Sequence, residues 1–384
     1  MISSFTSSAF ISSEATVEWF SSYLQDRKQV VQVESKYSDP EEIGEHGVPQ
    51  GSILGPLIFI IFNNDFPANS EEGVSVLYAD DDTANVSDDD PEELKNKIQR
   101  EADRSTEWVS DNRMVCSGEK TKLLIIGTPQ LRKSRLLDRD ISIQINVCGM
   151  NVKESKSEKL LGLVVNNQLT WTEYLYGESW REEGNAKGLI PQLSQRVGLL
   201  RRIGHLMPKQ RFNTVCQGIF NSKMIYCLQV VGNVWGMETT DEVNRRYSAF
   251  TKEDNRKMQT LQNKVIRLKT GLPHHTPTET LLKISGDLSV QQLTAFSTLT
   301  SLKKVIHKQK PKYLVDKLKI NTNTTRQENN IRMEAKLTVT RGAYFYRAAS
   351  LYNSLPIEMR NLDPISFKPK VKSWIKANIP PKPS

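Results

Sequence analysis

Cysteine is scarce in this 384-residue chain, and none of it is spaced for a metal or a redox motif. The four residues, Cys116, Cys148, Cys216 and Cys227, form no Cys-x-x-Cys pair, and the five histidines complete no zinc pattern. They read as reduced thiols, which suits an intracellular protein, with nucleus and cytoplasm both open. His274-His275 is no metal pair on sequence grounds, because adjacent side chains diverge in either regular structure. Long apolar runs are missing too, which argues against a membrane span. The start, Met1-Ile2-Ser3-Ser4-Phe5, has neither the basic segment nor the continuous apolar stretch of a secretory leader. No internal repeat is present, so a solenoid is not expected.

Charge is present but uneven. The net charge is +8, yet residues 1–110 hold roughly 22 acids against roughly 7 bases, and the remainder is strongly basic. Such asymmetry points to contact with nucleic acid. The acidic first third needs a reason of its own.

Periodicity supplies the elements. Glu14–Leu24 carries Val17, Phe20, Tyr23 and Leu24 on one helical face. Gln29–Val33 is β-branched, and a polar loop is expected from Ser38 to Glu45. Ile53–Phe62 is an apolar helix with Pro56 in its first turn. Val74–Tyr78 reads as a strand, Asp80–Asp82 as a turn, and Thr83–Ser87 as the returning strand. Asp90 should cap a helix that starts at Pro91 and runs to about Trp108. Leu123–Gly127, Ile141–Val147 and Leu160–Val165 are strand candidates. From Leu189 onward the pattern turns helical: Leu193, Val197, Leu200 and Ile203 share a face, Phe212–Leu228 keeps the spacing, and Tyr247–Thr270 ends at Gly271-Leu272-Pro273. Asn321–Asn330 resembles a polar linker, and the proline-rich tail should be extended and mobile.

Two stretches carry chemistry. Leu77-Tyr78-Ala79-Asp80-Asp81-Asp82-Thr83 places adjacent carboxylates at a hairpin tip. Like charges this close repel, and a hard divalent cation such as Mg²⁺ relieves the conflict. Asp82 and the nearby Asp88-Asp89-Asp90 read instead as solvated turn residues. The second stretch, Gly47-Val48-Pro49-Gln50-Gly51-Ser52-Ile53-Leu54-Gly55-Pro56, is a glycine-punctuated loop opening a helix, where backbone amides can approach a nucleotide.

In this order and spacing the two stretches resemble the reverse transcriptases of non-LTR (LINE-type) retrotransposons. Flanking segments extend the resemblance: Trp19 to Gln29, Trp108 to Lys122, Lys159-Leu160-Leu161-Gly162 with Leu169-Thr170-Trp171, Ile225-Tyr226-Cys227 with Val234-Trp235-Gly236, and Tyr352-Asn353-Ser354-Leu355-Pro356. The implied fold is α+β: a partial palm (an antiparallel sheet with packed helices), then a helical thumb and a basic, mainly helical C-terminal region. The expected divisions are a disordered start at 1–13, palm at 14–175, thumb-like helices at 176–240 and extension at 241–384. By resemblance Asp80 and Asp81 hold Mg²⁺, and Tyr78 lies beneath the primer end or packs on the sheet. Gly47, Pro49, Gln50 and Gly51 shape the nucleotide and template site. Lys120 assists the leaving pyrophosphate or is a surface lysine. Trp171, Tyr174 and Trp180 are core residues or base-stacking platforms. The implied partners are an RNA template, a DNA primer and deoxynucleoside triphosphates, held by a basic thumb and extension, with no membrane.

One departure bears on activity. The family's palm has an earlier strand whose aspartate completes the metal site, and Ile2–Ser13 contains no acid. Asn166 stands where an acid is more frequent, and Tyr174 where histidine is usual. The expectation is a fragment that does not polymerise by itself, unless the missing fingers and palm segment act in trans. A domesticated nucleic-acid-binding protein that kept the scaffold is the alternative.

Overall fold

A computed structural model of the chain describes residues 14–43, 47–49, 51–127, 143–177, 188–235, 250–316, 318, 331 and 344–382. The expected disordered start, Gln50, Trp180, Gly236 and the linker at 321–330 lie outside the described residues. The chain mixes helices with small antiparallel sheets, each two-stranded among the described residues, and falls into two compact units that divide after Ser155.

The first unit opens with α1 (Glu14–Leu24), the helix the apolar spacing predicts. Strands β1 (Lys28–Gln29) and β2 (Gln32–Val33) follow, pairing with β4 (Glu41–Glu42) and β3 (Lys36–Tyr37). The expected polar loop therefore contains strand, a difference that polar, exposed residues give no periodicity to reveal. Next come α2 (Leu54–Phe62) and a 3₁₀ turn at Phe66–Asn69. Leu24 and Ile58 make a small core with Phe20, Tyr23, Val48, Leu54 and Ile61. Strands β5 (Gly73–Tyr78) and β6 (Asp81–Val86) form a hairpin.

Helix α3 (Pro91–Asp111) is capped as expected: the Asp90 carboxylate accepts from the amides of Glu92 and Glu93, both at 2.9 Å. At its far end Trp108 packs edge-on against Phe66, with ring centroids 4.8 Å apart. Gln99 acts as a strand mimic, its amide donating to the Asn146 carbonyl (2.9 Å) and accepting from the Asn146 amide (2.8 Å). It thereby fastens α3 to the hairpin of β7 (Gln144–Val147) and β8 (Met150–Lys153), over a core of Leu123, Ile125, Ile143, Ile145, Val147 and Val152. Leu123–Gly127, expected as a strand, makes only a single bridge from Leu123 to Glu154.

The second unit begins with a hairpin, β9 (Ser157–Leu160) and β10 (Leu163–Asn166), turned at Leu161 and Gly162 with φ of 46° and 86°. The single strand expected at Leu160–Val165 is thus two half-strands around a turn that needs left-handed backbone. Helix α4 (Thr172–Tyr176) leads to α5 (Leu189–Ile203), whose Leu189, Leu193, Val197 and Leu200 are buried. The expected continuous helix from Phe212 to Leu228 is instead broken. It comprises α6 (Lys209–Cys216), a π turn at Gln217–Asn221, α7 (Ser222–Ile225) and α8 (Leu228–Val231), with Cys227 at φ 60°. The Arg196 guanidinium donates to the Ile219 carbonyl inside the π turn, satisfying a group that the wider turn exposes.

Helix α9 (Lys252–Thr270) starts with a Thr251/Asp254 capping box and ends at Gly271 with φ 74°. It packs on α5 around Met258, Leu261 and Val265. Then come α10 (Thr278–Ser285), α11 (Val290–Lys308), α12 (Lys312–Val315), α13 (Tyr344–Asn353), α14 (Ile357–Arg360) and α15 (Pro364–Asn378). Ala295, Leu299 and Leu302 of α11 meet Phe367, Val371 and Ile375 of α15 in a second core. Buried amides tie these helices: Gln262 donates to the Leu288 carbonyl (2.8 Å) and Gln292 to the Ile379 carbonyl (2.8 Å). The tail, expected to be free, is tied as well. The carbonyls of Pro380 and Lys382 accept from Gln291.

Candidate functional site

The hairpin register decides which of the three consecutive aspartates is available. Tyr78 pairs with Asp81 and Leu77 with Asp82, so Ala79 and Asp80 alone form the turn, with Ala79 at φ 56°. Side chains alternate across a strand. Asp81 therefore shares a face with Tyr78, Val76 and Val74, all exposed, Tyr78 at 65%. Asp82 shares the other face with Ser75 and Leu77. Asp82 therefore sits in β6 rather than in the turn the sequence suggested, although its side chain stays exposed. Its carboxylate accepts a hydrogen bond from the Ser75 hydroxyl, and burial, with Glu101 also nearby, holds its pKa above the ordinary carboxylate value. Asp80 and Asp81 remain exposed at the tip.

Asp88 also departs from a simple solvated turn. It accepts from the Asp90 amide and pairs with Lys97 at 2.7 Å, which holds its carboxyl below the usual range.

The glycine-punctuated loop is held from both sides. Gly47 and Gly51 have φ of 73° and 79°, where an L side chain is strained. The Arg27 guanidinium donates to the Gly47 carbonyl at 2.9 Å. Ser52 donates through Oγ to the Pro49 carbonyl (2.8 Å) and accepts from the Gly55 amide (2.9 Å), closing the loop onto the first turn of α2. Gly55 permits this closeness, since a Cβ there would lie 2.9 Å from Ser52 Oγ and 3.1 Å from the Pro49 carbonyl. Val48 anchors the loop in the α1–α2 core.

Lys120 lies exposed on a third element, a turn in which its amide donates to the Ser117 carbonyl at 3.2 Å. The structure thus joins Tyr78, Asp80 and Asp81 on one hairpin and Gly47, Pro49 and Gly51 on one loop, with Lys120 on its own turn. Among the described residues no three His, Cys, Asp or Glu side chains gather as a metal cluster. The oxygen donors of Asp80 and Asp81 nevertheless suit Mg²⁺, which commonly takes one or two protein carboxylates and completes its shell with water and substrate phosphate.

In the second unit, Asn166 is buried and saturated. Its Nδ2 donates to Thr170 Oγ1 (2.5 Å) and Glu173 Oε2 (2.7 Å), and its Oδ1 accepts from the amides of Gln168 (3.3 Å) and Thr170 (2.8 Å). Tyr174 is a core residue, its phenol pushed up by burial, and Trp171 meets it edge-on at 6.3 Å. These two rings face the core, which disfavours base stacking. The Tyr226 hydroxyl donates to the Leu161 carbonyl, and its ring would lie 3.4 Å from a Cβ at Gly162. Two motifs far apart in sequence thereby meet. No spacing rule marks Ser75, Arg27 or Glu173. Only the fold brings them to the hairpin, the loop and the asparagine.

Residues 4–165 match the family described as reverse transcriptase (RNA-dependent DNA polymerase). Curated relatives of the chain occur in Drosophila melanogaster. The probable RNA-directed DNA polymerase from transposon BS is 24% identical over 68% of this chain and 26% of its own length. That from transposon X-element is 24% identical over 65% of this chain and 24% of its length. The RNA-directed DNA polymerase from mobile element jockey is 23% identical over 71% and 26%. The chain spans about a quarter of the length of these relatives. No solved structure matches it significantly. No described helix is long and apolar enough to cross a membrane.

Proposed function

We propose that the chain carries the metal-hairpin part of a transposon's RNA-directed DNA polymerase and needs a further carboxylate-bearing segment, in cis or in trans, for synthesis. In this reading 14–175 is a partial palm, 176–240 a thumb and 241–384 a basic extension along nucleic acid. The observation that carries it is the separation of Asp80 and Asp81, exposed at the tip, from Asp82, engaged by Ser75 on the opposite face.

Asp80 and Asp81 would hold Mg²⁺, which when bound activates the primer hydroxyl and neutralises the triphosphate. Tyr78, exposed beside Asp81, supports the primer end. Gly47, Pro49, Gln50 and Gly51 present backbone to the incoming nucleotide, on a loop kept in shape by Arg27 and Ser52. Lys120 supplies positive charge to the departing pyrophosphate. The third carboxylate that the resemblance implies would come from another segment and share the ions with Asp80 and Asp81.

The extension offers the phosphate backbone a cationic surface. Helices α11 and α15 run antiparallel, as the Lys303 bond to Arg360 and the Gln292 bond to Ile379 require. Lys304, Lys308, Lys310 and Lys312 are exposed around the end of α11, and Lys368, Lys370 and Lys372 along α15.

The test is binding and Mg²⁺-dependent extension of a DNA primer on an RNA template by the folded chain and its Asp80→Ala variant. The expected result is salt-sensitive binding without extension. Extension that depends on Asp80 would show that no further carboxylate is needed. A nucleic-acid-binding protein without catalysis is the second reading, favoured by the basic extension. It predicts binding indifferent to Asp80, to Mg²⁺ and to any added segment.

A further inference from the structure

The four thiols differ in their surroundings, and two of them lie on adjoining segments. Cys116 lies in the segment after α3, and Cys148 at the tip of the β7–β8 hairpin, where it adopts φ 52°. Gly118 presses this segment onto the hairpin: a Cβ there would fall 2.8 Å from the Val147 carbonyl oxygen and 2.9 Å from Met150 Cβ. Those two residues flank Cys148 and Gly149. Cys116 itself packs on the core that holds Val147. The two thiols thus lie on segments pressed against each other, and Thr106 Oγ1 lies 3.8 Å from Cys148 Sγ. Cys148 is exposed and Cys116 half-buried, so a small oxidant reaches the first directly. Cys216 is buried in the core of the other unit.

We propose that Cys116 and Cys148 are a reversible oxidation site, which hydrogen peroxide converts to a disulfide that fastens the segment after α3 to the β7–β8 hairpin. The Cys148 thiolate attacks one peroxide oxygen and the O–O bond breaks. The departing hydroxide takes a proton and leaves as water, and Cys148 becomes a sulfenic acid. The Cys116 sulfur then attacks the Cys148 sulfur. The S–O bond breaks, and the Cys116 proton leaves with the hydroxide as a second water. Two thiols are oxidised and one peroxide is reduced to two waters, and a small dithiol reverses the linkage by exchange. Burial, with Cys148 beside it, pushes the Cys116 thiol up to about 11, which makes exposed Cys148 the attacking sulfur and Cys116 the resolving one.

The linkage has a consequence for the polymerase reading, and this part rests on that reading. The turn that presents Lys120 begins at Ser117, the residue after Cys116. A disulfide at Cys116 fixes the root of that turn to the hairpin and restricts where Lys120 can reach.

The test oxidises the folded full chain with hydrogen peroxide, alkylates free thiols and maps tryptic peptides by mass. A peptide joining Met114–Lys120 to a fragment containing Cys148 is expected as the main product. It should vanish on reduction and in Cys116→Ser or Cys148→Ser, and persist in Cys216→Ser, Cys227→Ser and Lys120→Gln (the last read without trypsin, by intact mass and alkylation). The melting temperature of the oxidised unit should rise by about 5–10 °C, because the crosslink restricts the unfolded chain. Cys148 passing to the sulfinic acid while Cys116 stays open to alkylation would overturn the proposal. So would equal linkage of Cys116 to Cys216 or Cys227. None of these readings uses polymerase activity, so failure at Asp80 or Lys120 leaves them intact.

Discussion

Asn166→Asp restores an acid at a position where the resemblance makes one frequent, and the structure says that it should harm this chain. The substitution keeps the acceptor for the Gln168 and Thr170 amides. It removes both donated bonds, to Thr170 Oγ1 and to Glu173 Oε2, and sets a second carboxylate 2.7 Å from Glu173 in a buried position. A bond to a charged partner contributes about 1.5–3 kcal/mol, and facing carboxylates add repulsion, so a loss of about 2–4 kcal/mol is expected at pH 7.5. Against a total of roughly 5–15 kcal/mol that is a large fraction. Urea unfolding followed by tryptophan fluorescence should show the midpoint fall by about 1–2 M. The pH dependence has a definite sign. The added carboxyl has a folded-state pKa above its unfolded value, so its penalty appears as pH rises through the folded value and fades as pH falls toward about 3.9. The gap between wild type and variant should therefore narrow at acid pH. Adding Glu173→Gln, which returns a donor, should recover about half of the loss as a coupling in a double-mutant cycle. A variant within about 0.5 kcal/mol of wild type at pH 7.5, or a loss unchanged by Glu173→Gln, would refute the reasoning.

Other consequences concern the first unit and the extension. Asp82→Asn should stabilise the β5–β6 hairpin at pH 7, because Asp82's pKa is raised on folding; that advantage should shrink in melts as pH falls toward the unfolded carboxylate value of about 3.9. Asp90→Ala removes the two cap bonds of α3 and should cost about 0.5–2 kcal/mol by denaturant titration. Gly162→Ala should destabilise the second unit by about 1 kcal/mol or more, since it adds a Cβ at φ 86° against the Tyr226 ring. Lys368→Gln, Lys370→Gln and Lys372→Gln, if those side chains contact phosphates, should each reduce the salt slope of template binding by about 1 in log–log terms, measured by fluorescence anisotropy.

Helices were legible where their own residues determine them. Glu14–Leu24 and Leu189–Ile203 have clear apolar faces, and Asp90-Pro91 marks a start that the Asp90 carboxylate fulfils. Strands were less legible. Leu160–Val165 reads as one apolar run, yet Leu161-Gly162 folds it in half, because a two-residue turn needs left-handed backbone rather than polarity. The stretch from Phe212 to Leu228 keeps helical spacing, but a π turn shifts its face and Arg196 reaches in to satisfy it. At the hairpin the motif locates the acids, whereas their division of labour depends on register. Asp82 and Asp81 are neighbours of identical chemistry, separated only by the strand's alternation. Asn166 makes the same point from another side: its fitness lies in Glu173, which no motif names, and in a contact with Thr170 that no motif predicts.

Asp80 and Asp81 are proposed as metal-binding carboxylates of a polymerase site that a carboxylate on another segment completes. The most direct measurement joins the chain to the upstream polymerase portion of a matched transposon relative and follows Mg²⁺-dependent primer extension on RNA. The account predicts extension by the joined protein, lost in Asp80→Ala and retained in Asp82→Asn. A folded joined protein that fails to extend, or one that extends equally well without Asp80, would contradict it.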